Sequence, residues 1–243
     1  MESIGANTTF SGAFLKHLAL VTMLIDHIGV VLLSEMQLLR MIGRLSFILF
    51  TFLLAEGAIH TRSRLKYGLR LFALALISQV PYSMAKYSET FVFDDLNVFF
   101  LLASSVAMIQ VMDLVKGQRF EYIYKVLIVA AFSLVGYNLN IEYDFYGYAL
   151  VACFYQWHGD KGSILVAVTA VTIALLPLFL IFVDGIKIPK AVFYSLHEAI
   201  GLISLVFILN YNGEKGRQIH KAFYYFFYPA HLILLIIIKD AIM

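Results

Sequence analysis

Between residues 15 and 239 the chain is a series of apolar runs, mostly about 17 to 20 residues long, parted by short polar connections, and that length matches the hydrocarbon thickness of a bilayer. Backbone groups in hydrocarbon have no water to bond, so a spanning segment is either a helix or part of a closed barrel. Continuous rather than alternating runs select helices. The expected spans are 15 to 34, 44 to 62, 67 to 86, 96 to 115, 122 to 138, 145 to 158, 164 to 183, 190 to 210 and 223 to 239. The sixth is short and interrupted by Gly147, so the count is about nine, within eight to ten, in an all-α polytopic bundle. With 61% hydrophobic and 14% charged residues and no polar block long enough to fold separately, residues 1–243 read as a single integral membrane domain.

Charge speaks about orientation rather than about nucleic acid, because a net +2 spread among apolar runs makes no basic surface. Connections carrying Arg62, Arg64, Lys66 and Arg70, then Lys116, Arg119 and Lys125, then Lys215, Arg217 and Lys221 alternate with acidic or mixed ones. The latter hold Glu89, Asp94 and Asp95, then Glu142 and Asp144, then Asp184 with Lys187 and Lys190. The positive-inside rule puts the basic set and the N-terminus in the cytoplasm, and nine spans then put the C-terminus outside. Arg40 and Arg44 oppose the pattern by falling on the outer side. Residues 1–11 are polar and the first run has no basic n-region or cleavage pattern, so it is expected to be a retained span. Cys153, the one cysteine, offers no disulfide and reads as a small buried side chain.

An ionisable group inside a span costs roughly 2.5 to 3.5 kcal/mol on insertion scales, so each one is a candidate functional residue. Asp26 and His27 lie past the middle of the first run. They are adjacent and therefore point about 100° apart. The second run starts at Gly43-Arg44 and carries Glu56 and His60 four apart, a spacing that pairs carboxylate with imidazole. Arg62 with Arg64, Lys66 and Arg70 forms a basic rim suited to a polyphosphate such as that of coenzyme A. In the eighth run Tyr194, His197, Glu198 and Gly201 follow one helical stripe. The ninth carries Tyr224, Tyr228 and His231 around Pro229, with His231 read first as a packing histidine. Asn97 opens the fourth run as an N-cap. Ser78 and Gln79 precede a kink at Pro81, Asp113 is expected to be solvated, and Tyr155 and Trp157 are expected to anchor the interface. His27, His197 and His231 would make a metal set only by tertiary arrangement, and no metal is expected.

The strings Met23-Leu24-Ile25-Asp26-His27-Ile28-Gly29, Arg40-Met41-Ile42-Gly43-Arg44-Leu45-Ser46-Phe47 and Phe52-Leu53-Leu54-Ala55-Glu56-Gly57, followed by His60-Thr61-Arg62, resemble the TraX family, named for a conjugation protein that acetylates the N-terminus of F-type pilin. The resemblance continues through Ser78-Gln79-Val80-Pro81-Tyr82 and Asn97-Val98-Phe99-Phe100 to Tyr228-Pro229-Ala230-His231-Leu232, and is carried only by hydropathy from about 120 to 190. It implies a bacterial inner-membrane enzyme, kin to multispanning acyltransferases. Such an enzyme would move an acetyl or other short acyl group from cytoplasmic acyl-CoA, a cosubstrate, to an amine or hydroxyl of an exported protein or surface polymer.

Joined to the residues, that implication casts His27 as general base, Asp26 or Glu56 as its orienter, and Arg44, Asn97 or protonated His197 as oxyanion donor. Arg62, Arg64, Lys66, Arg70 and His60 would hold the donor, and Glu198, Tyr228 and His231 would line the acceptor side. These groups are expected to share one wet chamber open to the basic rim. A proton-coupled carrier of small solutes and a noncatalytic assembly factor for surface appendages are the alternatives.

Overall fold

The computed structural model describes residues 9–87, 95–217 and 219–242. Among these residues the chain is helical, and each apolar run holds one helix. In chain order they are α1 (Gly12–Val31), α2 (Gln37–His60), α3 (Arg64–Tyr87), α4 (Val98–Leu114), α5 (Glu121–Asn138), α6 (Asp144–Gln156), α7 (Lys161–Phe182), α8 (Ile188–Leu209) and α9 (Lys221–Ile242). Five of them, α1, α2, α7, α8 and α9 from Ala222 onward, are long and apolar enough to cross a membrane. By contrast α4 has 17 residues and α6 only 13, short of the roughly 20 needed by an upright span. Residues 1–8, and Glu89 and Asp94 of the charge pattern, lie outside the described residues.

The helix ends follow local chemistry. Ser11 caps α1 by accepting from the Phe14 N–H, and Asp160 caps α7 through Ser163. Asn97 caps α4 by accepting from the Phe99 N–H at 3.0 Å, while its own amide donates to Ala75 O and Gln79 Oε1, both at 2.8 Å. Those bonds leave Asn97 fully buried with its donors spent, which removes it as an oxyanion donor. Gln79 serves Asn97 and the Asp95 carbonyl; it is a clamp between α3 and α4. Two helices change pitch inside the bundle. α7 passes through a π turn at Val171–Leu175 just before Pro177, which lacks an N–H, and α8 passes through a 3₁₀ turn at Ile200–Ile203.

α2 runs through the centre, touched by α1, α4, α6 and α8. α9 closes the bundle against α3 and α1. Leu15, Ile48, Leu49, Leu101, Met108, Ile109 and Leu150 are buried to within about 1% of total in the shared core. In lipid the reference environment is as apolar as this core, so its stability comes from close packing rather than from escape from water. Val166, Phe182 and Leu234 point outward, as lipid-facing side chains must. The connections gather at two ends. One holds Arg40, Tyr87, Leu96 and Tyr143; the other holds Phe10, His60, Arg64, His158 and Tyr211, tied by isolated bridges between Leu96 and Ile141 and between Phe10 and Tyr211.

Candidate active site

At the Arg40 end, α1 and α2 approach closely because α2 carries Gly43. A Cβ there would sit 2.1 Å from Asp26 Oδ1 and 2.3 Å from Asp26 Cβ, so only glycine admits the carboxylate against the α2 backbone. Asp26 is thereby placed between two guanidinium groups. Arg40 Nη1 donates to Asp26 Oδ2 at 2.8 Å and Arg44 Nη2 donates to Asp26 Oδ1 at 3.2 Å. Arg44 goes further. Its Nη1 reaches Glu198 Oε1 at 2.8 Å and the Tyr143 hydroxyl at 2.9 Å, and its Nε bonds the Arg40 carbonyl at 3.2 Å. Gly201, whose added Cβ would meet the Arg44 carbonyl oxygen at 2.8 Å, lets α8 bring Glu198 in.

Two guanidinium groups and two carboxylates balance in charge, and Arg44 is only 7% exposed. A buried charge is tolerated only when paired and hydrogen-bonded throughout, and this network meets that condition. It joins α1, α2, α8 and the α5–α6 connection. Tyr143, in that connection, is held at φ 66° with its ring stacked on Phe47 at a centroid distance of 3.6 Å. A non-glycine residue in the left-handed region is strained, and here the stack and the Arg44 bond hold it. His197 lies in the field of Asp26, Arg40 and Arg44 without a bond to them among the described residues, and Tyr194 of the same expected stripe faces outward.

On the other side of α1, His27 meets α9. His231 Nδ1 lies 2.8 Å from the Phe227 carbonyl, which can only accept, so that nitrogen carries the proton and Nε2 is left with its lone pair. His231 Nε2 is 3.1 Å from His27 Nδ1, and the Met23 carbonyl is 3.0 Å from the same atom. Both neighbours are acceptors. His27 Nδ1 therefore carries the ring proton, and His27 Nε2 holds a lone pair with no hydrogen-bond partner among the described residues. Tyr228 packs edge-on against His27 at 5.7 Å and is 2% exposed. The side chain bonded to His27 is thus His231, read in the sequence as packing, whereas Asp26 is bonded to Arg40 and Arg44.

Around this centre stands a second polar group. Asp95 accepts from Lys86, Tyr87 and, at 3.0 Å, Tyr82, while Glu142 in the α5–α6 connection faces Lys86. Burial pushes the Glu142 carboxyl up to about 7, against the pull of Lys86.

Glu56 belongs elsewhere. It lies twelve residues beyond Arg44 on α2, about 18 Å along the axis at about 1.5 Å per residue. The turns between, with Ile48, Leu49, Phe52, Leu54 and Ala55, are buried among apolar side chains. Glu56 binds His60 Nε2 at 3.1 Å, His158 Nε2 at 2.7 Å and the Tyr211 hydroxyl at 3.3 Å, so it cannot orient His27, and the expected chamber uniting both ends is replaced by two polar centres. In the basic rim, Arg62, Lys66 and Arg70 are exposed, but Arg64 is spent on Asp113, the Ala58 carbonyl and Tyr155. Asp113 is correspondingly bonded, to Arg64 and at 2.6 Å to Tyr155, rather than merely solvated. A cavity of about 480 Å³ between α3, α4 and α5 is apolar and touches neither histidine nor the arginine network.

No solved structure matches the chain. A probable fimbrial assembly protein FimC, serogroup H1, of Dichelobacter nodosus is 29% identical over 243 residues, covering 94% of this chain and 96% of the relative. The family model described as TraX protein matches residues 11–239, which include the whole arginine–carboxylate network and both histidines of the α1–α9 contact. The chain belongs to the TraX family.

Proposed function

We propose that the protein is a membrane-embedded acyltransferase in which His27 Nε2 removes the proton from an acceptor amine or hydroxyl as that group attacks an acyl-CoA thioester. The observation that carries this reading is the tautomer chain from Phe227 through His231 to His27. It leaves a neutral imidazole with its lone pair unshared beside a buried, charge-balanced arginine cluster. When His27 takes the proton, its Nδ1–H bond to His231 strengthens and steadies the imidazolium. The Tyr228 ring, packed edge-on against His27, lines the acceptor side, and collapse of the tetrahedral intermediate expels the coenzyme A thiolate, which recovers the proton from His27.

Arg62, Lys66 and Arg70 are the exposed cations for the donor phosphates. Arg62 lies two residues past the end of α2, whose sixteen residues from Arg44 to His60 rise about 24 Å at about 1.5 Å per residue, so only an extended pantetheine arm brings a thioester to His27. The Arg40 end faces the acceptor, an exported protein or surface polymer. A relative described as a probable fimbrial assembly protein directs the first choice to a pilus-type subunit. The same description favours a second reading, a noncatalytic assembly factor.

Coenzyme A release measured in nanodiscs with acetyl-CoA and candidate acceptors separates the two. His27→Ala is expected to lose at least about 100-fold in turnover, the scale of general-base catalysis. Unchanged release, or full appendage assembly in cells carrying His27→Ala, sinks the catalytic reading.

A further inference from the structure

At the opposite end of α2 from the arginine network, three side chains converge that the proposed transfer does not use. Glu56 and His60 sit one helical turn apart on α2, and His158 comes in from the α6–α7 connection. The ligand atoms Glu56 Oε1 and His60 Nε2 are 3.1 Å apart, Glu56 Oε2 and His158 Nε2 are 2.7 Å apart, and all three residues offer a donor atom within 4.8 Å of the others. Donors bound at about 2.0 to 2.1 Å to a tetrahedral ion lie about 3.4 Å from one another, so an ion enters this set with small side-chain rotations. The Tyr211 hydroxyl donates to Glu56 Oε1 at 3.3 Å from the loop before α9, the position of an outer-shell partner that orients a ligating carboxylate. His60 and His158 are the exposed members, with 61% and 38% of their side chains open, so the fourth position faces the surface.

We propose that Glu56, His60 and His158 form a binding site for a divalent transition cation of the Zn²⁺ type, with water or an oxyanion in the fourth position. Two imidazoles and one carboxylate suit zinc and its neighbours, whereas Mg²⁺ and Ca²⁺ demand oxygen ligands throughout. The ion would pin the C-terminal turn of α2 to the α6–α7 connection beside Arg62. It does not rest on the acyl-transfer reading: Glu56, His60 and His158 have no role in that reading, and ion binding is measured without acyl-CoA.

The full chain, purified through a non-histidine tag and reconstituted in nanodiscs, is stripped with EDTA, gel-filtered and titrated with ZnCl₂. The expected result is one equivalent retained per chain, undisturbed by excess Mg²⁺, with Co²⁺ giving the visible bands of a tetrahedral site. His158→Ala and Glu56→Gln each weaken binding at least about 100-fold, Tyr211→Phe weakens it about 10-fold, and His220→Ala changes nothing. Wild-type retention below one-tenth of an equivalent overturns the site. So does binding that persists in His158→Ala, which would mark adventitious surface zinc. His158 lies in an exposed connection, so that variant folds even where Glu56→Gln does not, and the thermal melt of each apo variant separates lost binding from lost structure.

Discussion

Gly43→Ala puts the packing of the arginine centre to a direct test. The new Cβ falls 2.1 Å from Asp26 Oδ1, 2.3 Å from its Cβ and 2.4 Å from its Cγ, and ordinary contact begins at 3.4 Å. Relief requires α1 and α2 to part by more than 1 Å or Asp26 to swing away from both arginines. Overpacking of this kind costs about 1 to 3 kcal/mol, and stripping a buried pair of its partner costs about 3 to 5 kcal/mol. The better helix propensity of alanine returns only about 1 kcal/mol. A net loss near 2 kcal/mol, at the upper end of overpacking, corresponds to a fall of about 4 to 8 °C in melting temperature for a chain this long. The single tryptophan, Trp157, gives an intrinsic probe of the melt in detergent. On the proposed mechanism, with His27 next to Asp26, a shift of about 1 Å is also expected to cost on the order of 100-fold in turnover. Gly162→Ala is the control: its added Cβ meets nothing closer than Asp160 Oδ1 at 3.5 Å, and it should melt no lower than the parent. If Gly43→Ala melts within 1 °C of the parent, the close approach of Asp26 does not hold the two helices together.

Arg44→Met leaves Glu198 buried without a cation and is expected to cost about 3 to 5 kcal/mol, while Arg44→Met with Glu198→Gln should cost less than the two single changes added together; strict additivity in a double-mutant cycle of melting data refutes the pairing. Glu142 has its folded-state carboxyl raised to about 7 from an ordinary value of 4.5, so folding favours its protonated form, and stability falls as pH climbs from below 4.5 through 7. Glu142→Gln should therefore melt higher than the parent at pH 8 and alongside it at pH 4.5, and a gain that is the same at both pH values counts against burial as the cause.

Much of this arrangement is legible in the chain because lipid imposes a simple rule: apolar runs become helices, and a charge inside a run needs a partner. Asp26, Arg44 and Glu198 stand out on that rule, and the structure brings both carboxylates within hydrogen-bond reach of Arg44. The i, i+4 spacing of Glu56 and His60 is likewise enough to foresee their bond. Tyr143 carries no such mark, since a tyrosine in a five-residue connection looks like any interfacial aromatic until its left-handed backbone and its bond to Arg44 are seen. His158 is equally silent. It reaches Glu56 from a residue 102 positions away, a separation that no periodicity encodes.

The expectation that Asp26 or Glu56 orients His27 meets a geometric obstacle, since Asp26 is bonded to Arg40 and Arg44 instead. Adjacent residues on a helix point about 100° apart, so the closest carboxylate in sequence is among the least able to bond the imidazole beside it. The partner must come from whichever helix packs on the face that His27 presents, and that is α9. The same reasoning separates Glu56 from the centre. A membrane-spanning helix separates residues twelve apart by about 18 Å in depth, over half of a roughly 30 Å hydrocarbon core, so two such polar groups share a chamber only where the intervening turns are wet. The turns of α2 between Arg44 and Glu56 are filled by Ile48, Leu49, Phe52, Leu54 and Ala55, all buried. Any chemistry that links the two ends of this protein therefore has to pass along another helix face or through a rearrangement of α2's neighbours, and not along the core that α2 organises.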